Sequence, residues 1–236
     1  KKRFPNDDSA TNLVQWHIYE EENPDTFHLT IPENRSIGIM LSSGADSAIL
    51  LYLMCLELMQ TGRSIEEIKY IFTVPKTDGA ELHSAGIVNW INQKLDINLP
   101  QPIIFGAENV QDLHHSMQIS ESGRAIFEKY DPTFMDLFLF LADQRPVPQP
   151  WPFDSEIAIN PFRVSGNPYP EMISLPFNDL YKSHTIDLHF MFNTEPLLEL
   201  SHSCTQLDAG RCNKCYHCHE RQWAFDQLGK IDPGTN

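Results

Sequence analysis

Near its C-terminus the chain reads SCTQLDAGRCNKCYHCHER, residues 203–221, and four of its five cysteines lie there: Cys204, Cys212, Cys215 and Cys218. The gaps between them are seven, two and two residues. Disulfide scaffolds of secreted proteins spread cysteines over the whole chain, so this clustering points to a reducing compartment and a bound metal. Zinc suits it. Zn²⁺ takes four thiolates in a tetrahedron at roughly 2.3 Å, and Cys-x-x-Cys turns converge two sulfurs while backbone N–H groups point at them. A closed thiolate shell has no open position, so this metal is expected to be structural. The competing chemistry is a redox pair with two spare thiols, and His202, His217 and His219 are rival ligands. Cys55, in a leucine-rich run, reads as a small core residue.

A second stretch, RSIGIMLSSGADSAILLYLMCLELM at 35–59, has the residues of an anion cradle. Ile37–Leu41 reads as a buried strand, small residues turn the chain, and an apolar run from Ala48 begins a helix. Small side chains let backbone N–H groups approach a phosphate, the hydroxyls of Ser42, Ser43 and Ser47 add donors, and the helix N-terminus supplies roughly half a positive charge. Neither GxxxxGK[ST] nor GxGxxG occurs, which removes the common kinase-type and dinucleotide loops. An ordinary strand-to-helix turn with a Ser or Asp cap is the other reading.

The elements that would hold these residues alternate. Ile68–Val74 is a second strand, Glu81–Leu95 an amphipathic helix and Pro102–Phe105 a third strand. Alternating strands and helices imply an α/β fold with a Rossmann-like parallel sheet, whose ligands bind at the C-terminal ends of the strands. Asp78 and Glu81 follow the second strand at that rim. Ahead of the sheet, Val14–Tyr19 and Phe27–Ile31 read as a hairpin added at an edge. The Pro- and Gly-rich region 144–170, with QRPVPQPWPF its extreme part, reads as a long loop.

Composition narrows the partners. The chain has 236 residues, 41% of them hydrophobic, enough for one sizeable α/β domain and an appendage. Its longest apolar stretch, 48–59, contains Glu57 and falls short of the ~20 residues that span a bilayer, so no membrane partner is expected. A net charge of −15 opposes contact with a phosphate backbone, so duplex nucleic acid is not expected either. From Ser201 onward four basic residues balance four acidic ones, which marks the cysteine segment as a separate unit.

Both anchors carry a resemblance. Residues 42–47 resemble the SGGxDS loop of the PP-loop ATP pyrophosphatases, with Ser43 where that family has Gly. The C-terminal stretch resembles one branch, the 7-cyano-7-deazaguanine synthases, on Ser203, Cys204, Cys212, Cys215, Cys218, Arg221, Ala224, Phe225, Gly229, Asp232 and Pro233. Between them, ISLPFNDLYKSHTIDL resembles the family's helix start on Pro176, Leu180, Lys182 and Ile186, and SGNPYPEM is loosely similar to its Ser-Gly-Tyr-Pro-Asp on Tyr169, Pro170 and Glu171. The family's Arg-Asn pair is missing: Pro132 is followed by Thr133 and Phe134. Ser43 needs a backbone open to a β-carbon, which a negative φ would provide.

The resemblance covers roughly residues 35–233 and implies an adenine nucleotide alpha hydrolase-like fold in which 35–200 bind ATP and 201–236 form a zinc-binding tail ending in a helix; residues 1–34 read as an N-terminal edge hairpin or extension. It implies a cytoplasmic carbon–nitrogen ligase, using ATP and Mg²⁺ with structural zinc. Such an enzyme adenylates a small heterocyclic carboxylate, 7-carboxy-7-deazaguanine, and converts it with ammonia to an amide or nitrile in the queuosine pathway. Ser42, Ser43, Gly44, Ala45, Asp46 and Ser47 would bind the nucleotide. Asp46, Ser47 and Lys182 would carry the chemistry, and Tyr169 and Glu171 the substrate. Two alternatives stand beside it: a PP-loop enzyme adenylating another carboxylate, on a protein or a modified base, and a non-catalytic nucleotide-binding relative. A homodimer is open.

Overall fold

The structure is a computed structural model and describes residues 2–5, 13–17, 25–75, 79, 81–106, 115–147 and 171–234. At the N-terminus, β1 (Lys2–Pro5), β2 (Leu13–His17) and β3 (Asp25–His28) form an antiparallel sheet in the order β1-β2-β3. The expected hairpin is therefore present with a third strand. Among the described residues it pairs within itself, and the outermost strands of the parallel sheet are two residues long.

The central sheet contains β4 (Ser36–Met40), β5 (Ile68–Thr73), β6 (Ile103–Ile104), β7 (Leu137–Phe140) and β8 (Ile173–Ser174). Its order is β6-β5-β4-β7-β8, and every pairing is parallel. This is the Rossmann-like α/β sheet that the alternation implies. The strands are apolar on both faces, as parallel strands covered by helices must be; Ile37, Ile39, Ile71, Phe72, Leu139 and Phe140 are fully buried. Because this sheet starts at β4, builds out to β6 and returns to β7, strand order reverses between β4 and β7. Ligands bind at such a switch point, outside the carboxyl ends of the strands.

The helices are α1 (Ala45–Gln60), α2 (Glu81–Leu95), α3 (His115–Tyr130), α4 (Lys182–Met191), α5 (Glu195–Leu200) and α6 (Tyr216–Leu228). α1 starts three residues earlier than the apolar run suggests, so Ala45, Asp46 and Ser47 form its first turn. It is rich in Leu, Met and Ala, and its chain turns at Gly62 in the left-handed region. α4 is unusual: residues 182–189 are all buried, although Lys182, Ser183, His184, Thr185, Asp187 and His189 are polar. Such a helix is stable only if its polar groups find partners inside. The tail does not pack as a separate unit, since Trp223, Ala224 and Phe225 of α6 share a hydrophobic cluster with Ala45, Ile186 and Leu198. No helix among the described residues is long and apolar enough to cross a membrane.

Candidate phosphate loop and cysteine centre

The SSGADS loop lies at the switch point. Leu41 extends the β4 ladder by donating its N–H to Phe72 O at 2.8 Å, and the chain then turns through Ser42–Gly44 into α1. Gly44 is the N-cap at φ −73°, ψ 163° and gives no side-chain cap, which leaves the first-turn N–H groups of α1 suited to an anion. The hydroxyls of Ser42 and Ser47 are 3.1 Å apart, and Ser47 donates to Gly44 O at 3.2 Å. Ser43 does not have the negative φ that would accommodate its β-carbon without strain: it is fully buried at φ +62°. A non-glycine residue held there costs about 1–3 kcal/mol and persists only when its surroundings over-determine it. One such restraint is visible, the His202 N–H donated to Ser43 O at 2.8 Å.

Asp46 is the polar centre of the loop. Its carboxylate is salt-bridged to Lys182, the first residue of α4, whose side chain is 5% exposed. The chain delivers Lys182 by a parallel bridge between Arg145, past the end of β7, and Tyr181, with Arg145 N–H donating to Leu180 O at 2.8 Å. Lys182 is thus no surface lysine. The resemblance placed Ile186 in this motif, but Ile186 is a core residue four positions after Lys182. Thr185, three positions after it, reaches the site: its Oγ1 lies 2.6 Å from Asp46 Oδ1 and 3.2 Å from Gln144 Oε1. One hydroxyl carries one proton, and of its neighbours Asp46 Oδ1, Lys182 O at 3.0 Å and Gln144 Oε1 the carboxylate is the nearest and the charged acceptor. Sequence reading missed Thr185; its spacing from Lys182 was the available signal.

His189 buttresses the same turn. Its Nε2 lies 3.0 Å from Ala45 O, and its Nδ1 lies 3.0 Å from Thr194 Oγ1 and 3.2 Å from Thr194 O, so the ring is held between the first turn of α1 and Thr194. Complete burial pushes its pKa down to about 4, so the ring is neutral.

The four tail cysteines converge. All four Sγ atoms lie within 4.8 Å of one another, and Cys212 Sγ is 4.0 Å from Cys218 Sγ. A Zn²⁺ tetrahedron with ~2.3 Å bonds has edges of ~3.8 Å, so the cluster could hold such an ion after small shifts. Lys214 N–H and Cys215 N–H point at Cys212 Sγ at 3.4 and 3.2 Å, and Gln206 N–H at Cys204 Sγ at 3.4 Å, which favours thiolates. The Cys218 thiol beside Cys215 holds the Cys215 thiol far below its ordinary range. By contrast, burial pushes the Cys55 thiol up to about 12, as expected of an inert core cysteine.

A buried ion cluster pins the tail. Fully buried Arg221 donates to both Asp232 oxygens at 2.7 and 2.9 Å, to Leu198 O at 2.7 Å and to Ser201 Oγ at 2.7 Å. Arg211 also pairs with Asp232. Burial opposes the charge on Asp232, and the Arg221 and Arg211 guanidiniums outweigh it and hold its carboxyl below the usual range. The carried-over Arg221 and Asp232 thus have a structural role, and Gly234 is tied to it: a Cβ there would approach Arg221 Nη2 and Leu198 O to 2.7 Å.

Not every sequence candidate reaches the loop. Glu171 is exposed in the turn before β8, where its carbonyl accepts from Arg35. Since β8 runs parallel to β4, that turn lies at the opposite end of the sheet from residues 42–47. The turn 131–136 precedes β7 at that same end, so Thr133 and Phe134, in place of Arg-Asn, are also away from the switch point; Asp131 closes the turn by accepting from Leu137 and Asp136 N–H at 2.8 and 2.9 Å. Glu81 begins α2. Asp78, Tyr169 and the Pro-rich loop beyond residue 147 lie outside the described residues. No protein-family model and no curated protein matches this chain.

Proposed function

We propose that the chain is an ATP-dependent carbon–nitrogen ligase of the PP-loop type that activates a small heterocyclic carboxylate. The observation that carries this reading is the pair of buried Lys182 and half-buried Asp46 at the strand-order switch point, above a helix start with no side-chain cap. A solvated turn would have no reason to bury a lysine from a distant helix against its first-turn Asp. In the reading, the first-turn N–H groups of α1 and the Ser42 and Ser47 hydroxyls hold the β- and γ-phosphates. Lys182 neutralises charge as it develops on the departing pyrophosphate. Asp46 would be the carboxylate offered to Mg²⁺, which when bound with the nucleotide would neutralise charge along the triphosphate. The carboxylate oxygen of the substrate attacks the α-phosphorus, the α–β bridging bond breaks, and pyrophosphate leaves. Ammonia then attacks the acyl carbon of the adenylate, AMP leaves, and a proton is released with the amide. In a second activation the amide oxygen attacks the α-phosphorus of another ATP, pyrophosphate leaves, and loss of AMP with the two amide protons gives the nitrile.

The substrate that fits the resemblance is 7-carboxy-7-deazaguanine, and zinc is the ion proposed for Cys204, Cys212, Cys215 and Cys218. A compact substrate agrees with the net charge of −15, because a pocket needs no basic track. Isotope exchange between labelled pyrophosphate and ATP tests the reading. Exchange that requires the carboxylate supports it, and calorimetry showing no MgATP binding overturns it.

A further inference from the structure

We propose that the metal centre positions the phosphate loop: residues Ser201–Cys204 act as a strap whose His202 N–H clamps Ser43, so that metal binding and nucleotide binding strengthen each other. The proposal rests on the nucleotide reading of the loop and on the fit of the four cysteines to zinc.

The strap is anchored at both ends on one helix. Arg221 donates to Ser201 Oγ at 2.7 Å and to Ser203 Oγ at 3.2 Å, on either side of His202. Beyond Ser203, Cys204 meets Cys218, which lies on α6 three residues before Arg221. Between the anchors the His202 N–H reaches Ser43 O at 2.8 Å. The His202 ring fixes the middle of the strap: Nε2 lies 2.7 Å from Leu207 O, and the ring stacks on His83 at 4.8 Å with a 4° interplanar angle. A metal that draws Cys204 onto α6 adds an anchor beyond Ser203 and holds His202 more tightly against the loop, whereas without it the two Arg221 contacts alone hold the strap. Ser43 makes this consequential. A glycine would hold φ +62° unaided, but a serine relaxes away from it unless restrained. The orientation of neighbouring loop N–H groups then depends on the strap, and linkage makes the effect reciprocal.

The test uses the zinc-loaded full chain. Zinc affinity is measured by competition with a chromophoric chelator, with and without saturating MgATP. Zinc should bind about tenfold tighter when MgATP is present, and Ser43→Gly should shrink that factor to about twofold or less. Equal zinc affinities in a protein that calorimetry shows to bind MgATP would overturn the coupling and leave the nucleotide reading standing. So would a full effect retained in Ser43→Gly. Absence of MgATP binding to zinc-loaded protein would overturn both.

Discussion

The ammonium of Lys182 rests on the carboxylate of Asp46, joining the first residue of α4 to the second of α1 across 136 positions of sequence. Removing one partner of a buried pair leaves an uncompensated charge, which costs about 3–5 kcal/mol. Lys182→Met is expected to lose about 3 kcal/mol in urea unfolding, and the double variant with Asp46→Asn to recover part of it. Strictly additive losses would show that the two charges do not depend on each other.

Thr185 holds the other oxygen of that carboxylate. Hydrogen bonds to charged groups contribute about 1.5–3 kcal/mol, so Thr185→Val is expected to lose about 2 kcal/mol and Thr185→Ser much less. A valine variant as stable as the serine one would remove the hydroxyl from the network.

His189 gives the fold a pH dependence of known sign. Its pKa is about 4 in the folded chain against an ordinary 6.5, so the unfolded chain binds the extra proton between these values. Stability from this group is complete above pH 6.5 and falls as pH drops toward 4, by up to about 3 kcal/mol. The slope of unfolding free energy over that window should flatten in His189→Gln, and an unchanged slope would assign it to other groups.

The fold was legible where periodicity is strong. The amphipathic helix Glu81–Leu95 forms as expected, and β4 and β5 lie within a residue of their expected ends. β7, the run Leu137–Phe140, carried too little signal, since a short apolar run has no period to distinguish strand from helix. The first turn of α1 was hidden because Ala45, Asp46 and Ser47 are small or polar residues that also suit a loop. The cysteine centre was legible from spacing alone. The Arg221–Asp232 cluster was visible as a pair of positions but not as an ion pair, because a partner eleven residues away beyond a helix follows no local rule.

Zinc should be present at one ion per chain by metal analysis of native protein, because four sulfurs within 4.8 Å form one shell. Cys215→Ser is expected to lose the ion and to loosen α6, read as early protease cleavage in the tail. Full zinc content in that variant would contradict the four-cysteine assignment.

Asp232→Asn leaves Arg221 and Arg211 facing a neutral group in the interior and is expected to cost about 3 kcal/mol. Since the folded carboxyl titrates below its ordinary 3.8, the stability it provides is present above that pH and lost below it as the carboxyl protonates. Acid unfolding of the tail that begins at the same pH in wild type and Asp232→Asn would contradict this role.

The central claim is carboxylate activation at the loop, and mass spectrometry of the reaction products tests it most directly. Protein incubated with ATP, Mg²⁺, ammonia and 7-carboxy-7-deazaguanine should release pyrophosphate and yield the mass of the amide or nitrile, while folded Asp46→Ala yields neither. Normal ATP binding with no such mass change, or unchanged turnover in Asp46→Ala, would contradict the account.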